Sequence, residues 1–206
     1  MFDLSSLASE SNLRGEKLPL KDAALHYYPK FLEGVDATEV FQQLLHKTPW
    51  QEDDIKVFGK IYKQPRLTAL YGTNSSSYTY SGITMHPHPF SPLLLKMKRQ
   101  IESISQVDFN TVLLNLYRDG QDSNGWHSDN EPELGKNPVI ASLSLGAERF
   151  FHLKHRTDKE SRFKLLLEHG SLLLMMGPMQ HHWLHMLPKS NKIKEPRINL
   201  TFRVIK

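Results

Sequence analysis

The sequence predicts a mainly β protein with flanking helices, an α+β class built around a double-sheet jelly roll. Three observations lead there. From about residue 109 onward, short apolar segments are separated by Gly, Pro and Asn turns. Upstream, two segments carry helix-start signals instead. Near the C-terminus, strand-like runs have one apolar and one polar face, as a wall between a core and a polar cavity would.

Residues 1–20 are polar, Ser-rich and without period, and are expected to form a mobile tail. A first helix is expected from Asp36, where Asp36-Ala-Thr-Glu39 has the capping-box pattern and Val40, Phe41, Leu44 and Leu45 share a face. A second follows Ser91-Pro92, a cap with proline at the first helical position, and runs through Leu94, Leu95, Ile101 and Ile104. Between them, 53–85 reads as strands and loops around Gly59, Gly72 and Gly82. Strands are then expected at 111–117, 139–145, 149–154, 163–167, 171–176 and 198–204. In the last of these, Ile198, Leu200, Phe202 and Val204 point one way, and Arg197, Asn199, Thr201 and Arg203 the other. Val112, Leu114 and Leu116 alternate likewise with Asn115 and Tyr117. The predicted organisation is a tail (1–20), an N-terminal extension with helices (21–108), and a jelly-roll core (109–206), the last two forming one composite domain.

At 206 residues the chain is long enough to bury a substantial core, and 39% hydrophobic with 23% charged residues is a globular composition. The longest uninterrupted apolar run, Leu172 to Met176, is far too short to span a bilayer. The first residues show no basic n-region with an apolar stretch behind it, so an intracellular protein is expected: cytoplasmic or nucleoid-associated in a bacterium, nuclear in a eukaryote. A monomer is expected. The absence of cysteine excludes disulfides and thiolate metal sites, leaving His, Asp and Glu as ligands. The formal charge of +4 is mild. More informative is the clustering of Lys56, Lys60, Lys63 and Arg66 among Phe58, Tyr62, Tyr71, Tyr78 and Tyr80. Cations contact phosphates and flat rings stack on bases, although a solvated ribbon with aromatic cross-strand pairs has the same composition.

The chemistry concentrates near the C-terminus. His127-Ser-Asp129 presents two ligand types two residues apart, on the same side of an extended segment. His181, His182 and His185 crowd together downstream, and any of them could supply a second imidazole. Two histidines and one carboxylate make a facial triad that holds Fe(II) and leaves positions open for a co-substrate and O2. Arg197 and Arg203 follow, and a planar guanidinium binds a carboxylate in a bidentate way, as a dicarboxylate such as 2-oxoglutarate would require.

Several motifs, in order, are specific. Asn115-Leu-Tyr117, Gly125-Trp-His127-Ser-Asp129-Asn-Glu131, Gly170-Ser-Leu-Leu-Leu-Met-Met176, His182-Trp-Leu-His185-Met-Leu-Pro188 and Pro196-Arg197-Ile-Asn-Leu-Thr-Phe-Arg203 resemble the AlkB family of Fe(II)- and 2-oxoglutarate-dependent oxidative nucleic-acid demethylases. Upstream, Val57-Phe-Gly-Lys60, Pro65-Arg66, Tyr71-Gly72 and Tyr78-Thr-Tyr80-Ser-Gly82 extend the likeness toward its duplex-DNA repair branch. The resemblance spans about residues 50–204. It implies a double-stranded β-helix dioxygenase core with a nucleotide-recognition lid in the 21–108 extension, and selects His127, Asp129 and His185 as metal ligands. It implies 2-oxoglutarate held by Arg197 with Asn115, Tyr117 and Arg203, and O2 as the other co-substrate. It further implies DNA as partner, with an alkylated base (N1-methyladenine or N3-methylcytosine) flipped out of a duplex. Tyr80 would stack on that base, Tyr78 would help hold it, Glu131 would bond its edge, Arg66 would belong to the same substrate surface, and Phe58 would fill the gap left in the stack. Alternative readings are the same chemistry on RNA or single-stranded DNA, and a non-catalytic nucleic-acid-binding jelly roll.

Overall fold

The computed structural model describes residues 15–57, 60–73, 78–80 and 83–206. Along the chain the first strands are β1 (Glu16–Leu18) and β2 (Ala24–Tyr28), followed by helix α1 (Gly34–Lys47). Next come β3 (Asp54–Val57), β4 (Lys60–Lys63), β5 (Leu67–Gly72), β6 (Tyr78–Tyr80), β7 (Ile83–Met85) and β8 (His88–Pro89). Helix α2 (Pro92–Ser105) precedes β9 (Thr111–Tyr117) and β10 (Asn124–His127). Then follow β11 (Ile140–Gly146), β12 (Arg149–His155), β13 (Arg162–Leu167) and β14 (Leu172–Met176). The one-turn helix α3 (Met179–His182) leads into β15 (Trp183–Leu187), and β16 (Arg197–Arg203) ends the order.

Eight strands form the larger sheet in the order β1-β2-β14-β11-β16-β9-β5-β8, and four form the smaller as β10-β15-β12-β13. Pairing is antiparallel throughout except between β5 and β8. The period-2 pattern decides what each face of the large sheet does. Val112, Leu114, Leu116, Ala141, Leu143, Leu145, Ile198, Leu200 and Phe202 pack with Val40, Phe41 and Leu44 of α1 and Leu94, Met97 and Ile101 of α2. The opposite face is apolar at one end, where Leu25, Tyr27, Leu173 and Met175 meet Leu153, Leu167 and Trp183. In the middle it is polar, carrying Asn115, Tyr117, Ser142, Arg197, Asn199, Thr201 and Arg203 into a cavity walled across by His127, Phe151, His185 and Leu187. The expected jelly roll, with its polar strand faces turned inward, is therefore present.

The predicted strands of the C-terminal half are observed within one or two residues. Helix α2 begins as expected, with Ser91 Oγ accepting the Leu94 amide at 3.2 Å. Other elements differ. Helix α1 starts at Gly34 rather than Asp36; Asp36 lies in its first turn, where a negative charge complements the helix dipole without capping it. Residues 16–18, expected within the tail, pair with 25–27 because Leu25 and Tyr27 bury into the core and offer β1 a ladder. Strands β1, β2, β5 and β8 all precede residue 109 yet join the same sheet as β9, so the extension and the core share one layer. The basic-aromatic stretch forms two separate ribbons, β3–β4 and β6–β7. Among the described residues no helix is long and apolar enough to cross a membrane.

Candidate active site

Strands β10 and β15 lie side by side, with His127 directly opposite His185. Their rings meet edge to face, centroids 4.3 Å apart. Asp129 follows two residues after His127, and the ligand atoms of all three lie within 4.8 Å of one another, within reach of one ion. The residues fit a metal in their hydrogen bonding as well. His127 Nδ1 is 2.7 Å from the Gly125 carbonyl and donates its proton there, which leaves Nε2 as the lone-pair nitrogen. Its lone pair accepts from the Asn124 amide at 3.1 Å, a contact that a metal at Nε2 would displace. His185 is buried, and its Nδ1 has no hydrogen-bond partner among the described residues.

Protonation states agree with ligation. Burial pulls the pKa of His127 down and that of His185 down to about 3, so both imidazoles are neutral. Burial alone would push Asp129 up, but the Arg203 guanidinium, 2.9 Å away, leads the interactions that hold its carboxyl below the usual range. An unfolded histidine titrates near 6.5, so the metal-free protein carries its full histidine-linked stability above that pH. That stability is lost as pH falls from 6.5 toward 3, about 1.4 kcal/mol per unit from His185. Urea midpoints of metal-free protein at pH 7.5 and pH 5 measure this, and equal midpoints would refute it.

Facing the triad across the cavity, Arg197 is 2% exposed. Its Nη2 donates to Ser144 Oγ at 2.9 Å, its guanidinium lies 5.3 Å from the Tyr117 ring centre, and its Nε has no partner among the described residues. Burial lowers its pKa to about 10, with Arg149 adding to the effect and Tyr117 opposing it, so it is a cation at neutral pH. A buried cation facing three candidate metal ligands suits a small dicarboxylate.

The 2OG-Fe(II) oxygenase superfamily model matches residues 24–203. The alpha-ketoglutarate-dependent dioxygenase alkB homolog 3 of Bos taurus is 46% identical over 191 residues, covering 86% of this chain and 64% of that protein. The DNA oxidative demethylase ALKBH2 of Homo sapiens is 40% identical over 180 residues, covering 82% of this chain and 69% of the relative. This chain belongs to the AlkB family. The solved structure of OsALKBH1 superposes with a TM-score of 0.66 at 20% identity, covering 93% of this chain and all of that one, a likeness of fold. The chain spans about two thirds of the length of these AlkB relatives.

With the family established, the other expected positions can be placed. Asn115 and Tyr117 line the cavity beside Arg197. Arg203 lines the same cavity and bonds Asp129, at the triad end. Arg66 is 5% exposed, which differs from an open substrate surface: Nε donates to Asn115 at 2.8 Å and Nη1 to Asn124 at 3.2 Å. Through Asn124 it orients the amide that meets His127. Glu131 is half-buried with Oε2 unpartnered among the described residues; burial, then the Asp129 charge, raise its pKa. Phe58 lies outside the described residues, as do the side chains of Tyr78 and Tyr80, whose backbone forms β6.

Of the three crowded histidines, only His185 joins the triad. His182 belongs to a second cluster with Asp22 and His155. That cluster is a poor metal site. The Asp158 amide donates to His155 Nδ1 at 3.1 Å, so the ring proton must sit on Nε2, the nitrogen facing Asp22. Residues not anticipated are Asn124, Gln180 and Arg149. The Arg149 guanidinium gathers the carbonyls of Asp119, Asp122 and Pro188. It thereby ties the loop before β10 to the loop after β15, and these loops approach so closely that a Cβ at Gly120 would lie 1.9 Å from the Ser190 carbonyl oxygen.

Proposed function

We propose that this chain is an Fe(II)- and 2-oxoglutarate-dependent oxidative demethylase that repairs N-methylated bases such as N1-methyladenine and N3-methylcytosine in DNA. The observation that carries the reading is the His127, Asp129 and His185 triad facing the buried Arg197 guanidinium inside one cavity. The likeness to ALKBH2 of Homo sapiens, a DNA oxidative demethylase by name, supports the substrate class.

In this reading His127, Asp129 and His185 hold the metal, and Arg197 clamps the distal carboxylate of 2-oxoglutarate with Asn115 and Tyr117 beside it. Arg203 keeps Asp129 ionised and oriented. Iron with 2-oxoglutarate and O2 supplies hydroxylation of the N-methyl carbon, after which that carbon leaves as formaldehyde, with succinate and CO2 as co-products. The protein's own work is to orient ligands and exclude water; no side chain acts as nucleophile. Phe151 and Leu187 contribute the apolar part of the wall around the triad. A base within a duplex cannot reach this cavity, so the target nucleotide flips into it. Tyr80 stacks on the base, Tyr78 helps hold it, and Phe58 fills the gap in the stack. Glu131 bonds the edge of a base that is cationic when methylated. Arg66 acts through Asn115 and Asn124 rather than by open contact with DNA.

The test is formaldehyde release from both lesions in duplex DNA, single-stranded DNA and RNA, with wild type and Phe58→Ala. Release that requires Fe(II) and 2-oxoglutarate, with Phe58→Ala losing more on duplex than on single strands, is expected. No release from any substrate would remove the demethylase reading. Equal losses on both strand forms would remove the wedge role of Phe58.

A further inference from the structure

Asp129 lies where the backbone has least support. Strand β10 ends at His127 and sits at the edge of the smaller sheet, with a register irregularity between Asn124 and His127. Residues 128–130 belong to no strand or helix. Arg203 bonds the carboxylate directly, but a carboxylate on such a segment also depends on how its backbone is held. One contact holds it from inside: the Asp129 amide donates to Gln180 Oε1 at 3.0 Å, both groups buried. Gln180 is 0% exposed, and its Nε2 contacts Met175 Sδ at 3.8 Å. It belongs to α3, the turn that runs directly into β15 and His185. The side chain therefore ties the segment bearing one metal ligand to the element that delivers another. On the outer side, Arg156 Nη2 donates to Ser128 Oγ at 2.7 Å, but that contact is exposed and reaches the neighbouring residue.

We propose that Gln180 is a positioning residue for the metal centre, setting the direction of the Asp129 carboxylate through its backbone amide. The proposal rests on the reading of His127, Asp129 and His185 as metal ligands. A glutamine that merely filled space would be replaced without consequence by methionine, which is close to it in length and volume but has no oxygen acceptor. With methionine, the Asp129 amide loses its partner in a buried place, and the segment turns to satisfy it elsewhere.

The experiment is anaerobic titration of Fe(II), with Co(II) as a spectroscopic substitute, into metal-free wild type, Gln180→Met, Gln180→Glu and Met179→Ala. Thermal melting of each metal-free protein is recorded alongside. Partners that orient metal ligands are typically worth about 10- to 100-fold in affinity, and a Kd raised by that factor is expected for Gln180→Met. Gln180→Glu keeps an oxygen at the same reach and should bind within a few-fold of wild type. Met179 is a fully buried neighbour on the same turn whose side chain, unlike that of Gln180, has no hydrogen bond to a ligand-bearing segment among the described residues, so Met179→Ala should lower the melting temperature and leave the Kd unchanged. The Co(II) absorption of Gln180→Met should also differ in shape from wild type, reporting altered ligand geometry that lost stability alone would not produce. The proposal is overturned if Gln180→Met binds as tightly as wild type with the same spectrum. It is equally overturned if affinity simply follows melting temperature across the variants, Met179→Ala included. Failure of wild type to bind either metal would instead remove the triad reading, so the two failures are distinct.

Discussion

Replacing Arg197 by methionine should abolish useful 2-oxoglutarate binding while leaving the metal-free fold as stable as before. The two halves of that expectation have one cause. Arg197 is a buried cation with a hydrogen bond to Ser144, and its Nε has no partner among the described residues. Burying charge without a paired partner is unfavourable, so the folded chain gives up little when a flexible apolar side chain takes its place. Co-substrate binding depends on the same charge. Truncating one side of a buried, hydrogen-bonded charge pair costs roughly 2–5 kcal/mol, which is a loss of roughly 30- to 4,000-fold in affinity. Calorimetric titration with 2-oxoglutarate in the presence of Fe(II) or Mn(II), beside a thermal melt without ligand, separates the two effects. A variant that binds the co-substrate normally would show that another group anchors the carboxylate. One that melts far below wild type would show that Arg197 is structural.

Much of this site could be read from the sequence because the strands around it are regular. On β16 and β9 the side-chain period is two, so Arg197, Asn199, Thr201, Arg203, Asn115 and Tyr117 had to share a face with one another and not with Ile198 or Leu114. Pairing of the two strands then places Arg197 opposite Tyr117 and Asn199 opposite Asn115. The distal histidine was different. His181, His182 and His185 are equivalent by composition. The family resemblance selects His185, and the physical reason lies in the fold, which ends α3 at His182 and starts β15 at Trp183, so that Trp183, His185 and Leu187 are the buried positions of one strand. Gln180 and Asn124 gave no sequence signal, because their partners lie across the fold or depend on ring orientation rather than on any period. The N-terminal strands were missed for a related reason. Glu16–Leu18 is polar and short, and becomes a strand only because β2 is already fixed against β14 by Leu25 and Tyr27.

These contrasts divide the site by how satisfied each group is before any ligand arrives. Among the described residues Arg197 and His185 are buried with unmet hydrogen-bonding atoms, whereas Arg203 bonds the Asp129 carboxylate and Gln180 its amide. Function asks all three for the same thing, yet stability should treat them oppositely.

The sharpest expected contrast is therefore between His185→Leu and Asp129→Ala. Both should eliminate Fe(II) binding and formaldehyde release, since a triad reduced to two ligands loses most of its affinity. His185→Leu replaces a neutral imidazole, with Nδ1 unpartnered and its pKa driven to about 3, by an apolar side chain suited to the neighbouring Phe151 ring, 5.1 Å away. The metal-free variant should be at least as stable as wild type, and most clearly so at pH 5, where the wild-type histidine resists the protonation that the unfolded chain accepts. Asp129→Ala does the reverse. It removes a carboxylate 2% exposed from a guanidinium that is itself buried, and breaking such a pair from one side costs about 3–5 kcal/mol. Denaturant melts of the two metal-free variants at pH 7.5 and pH 5 check the signs. If both variants lose stability equally, His185 is held by interactions beyond those seen here. If neither does, the bond between Arg203 and Asp129 contributes no net stability, and its role is confined to orienting the ligand.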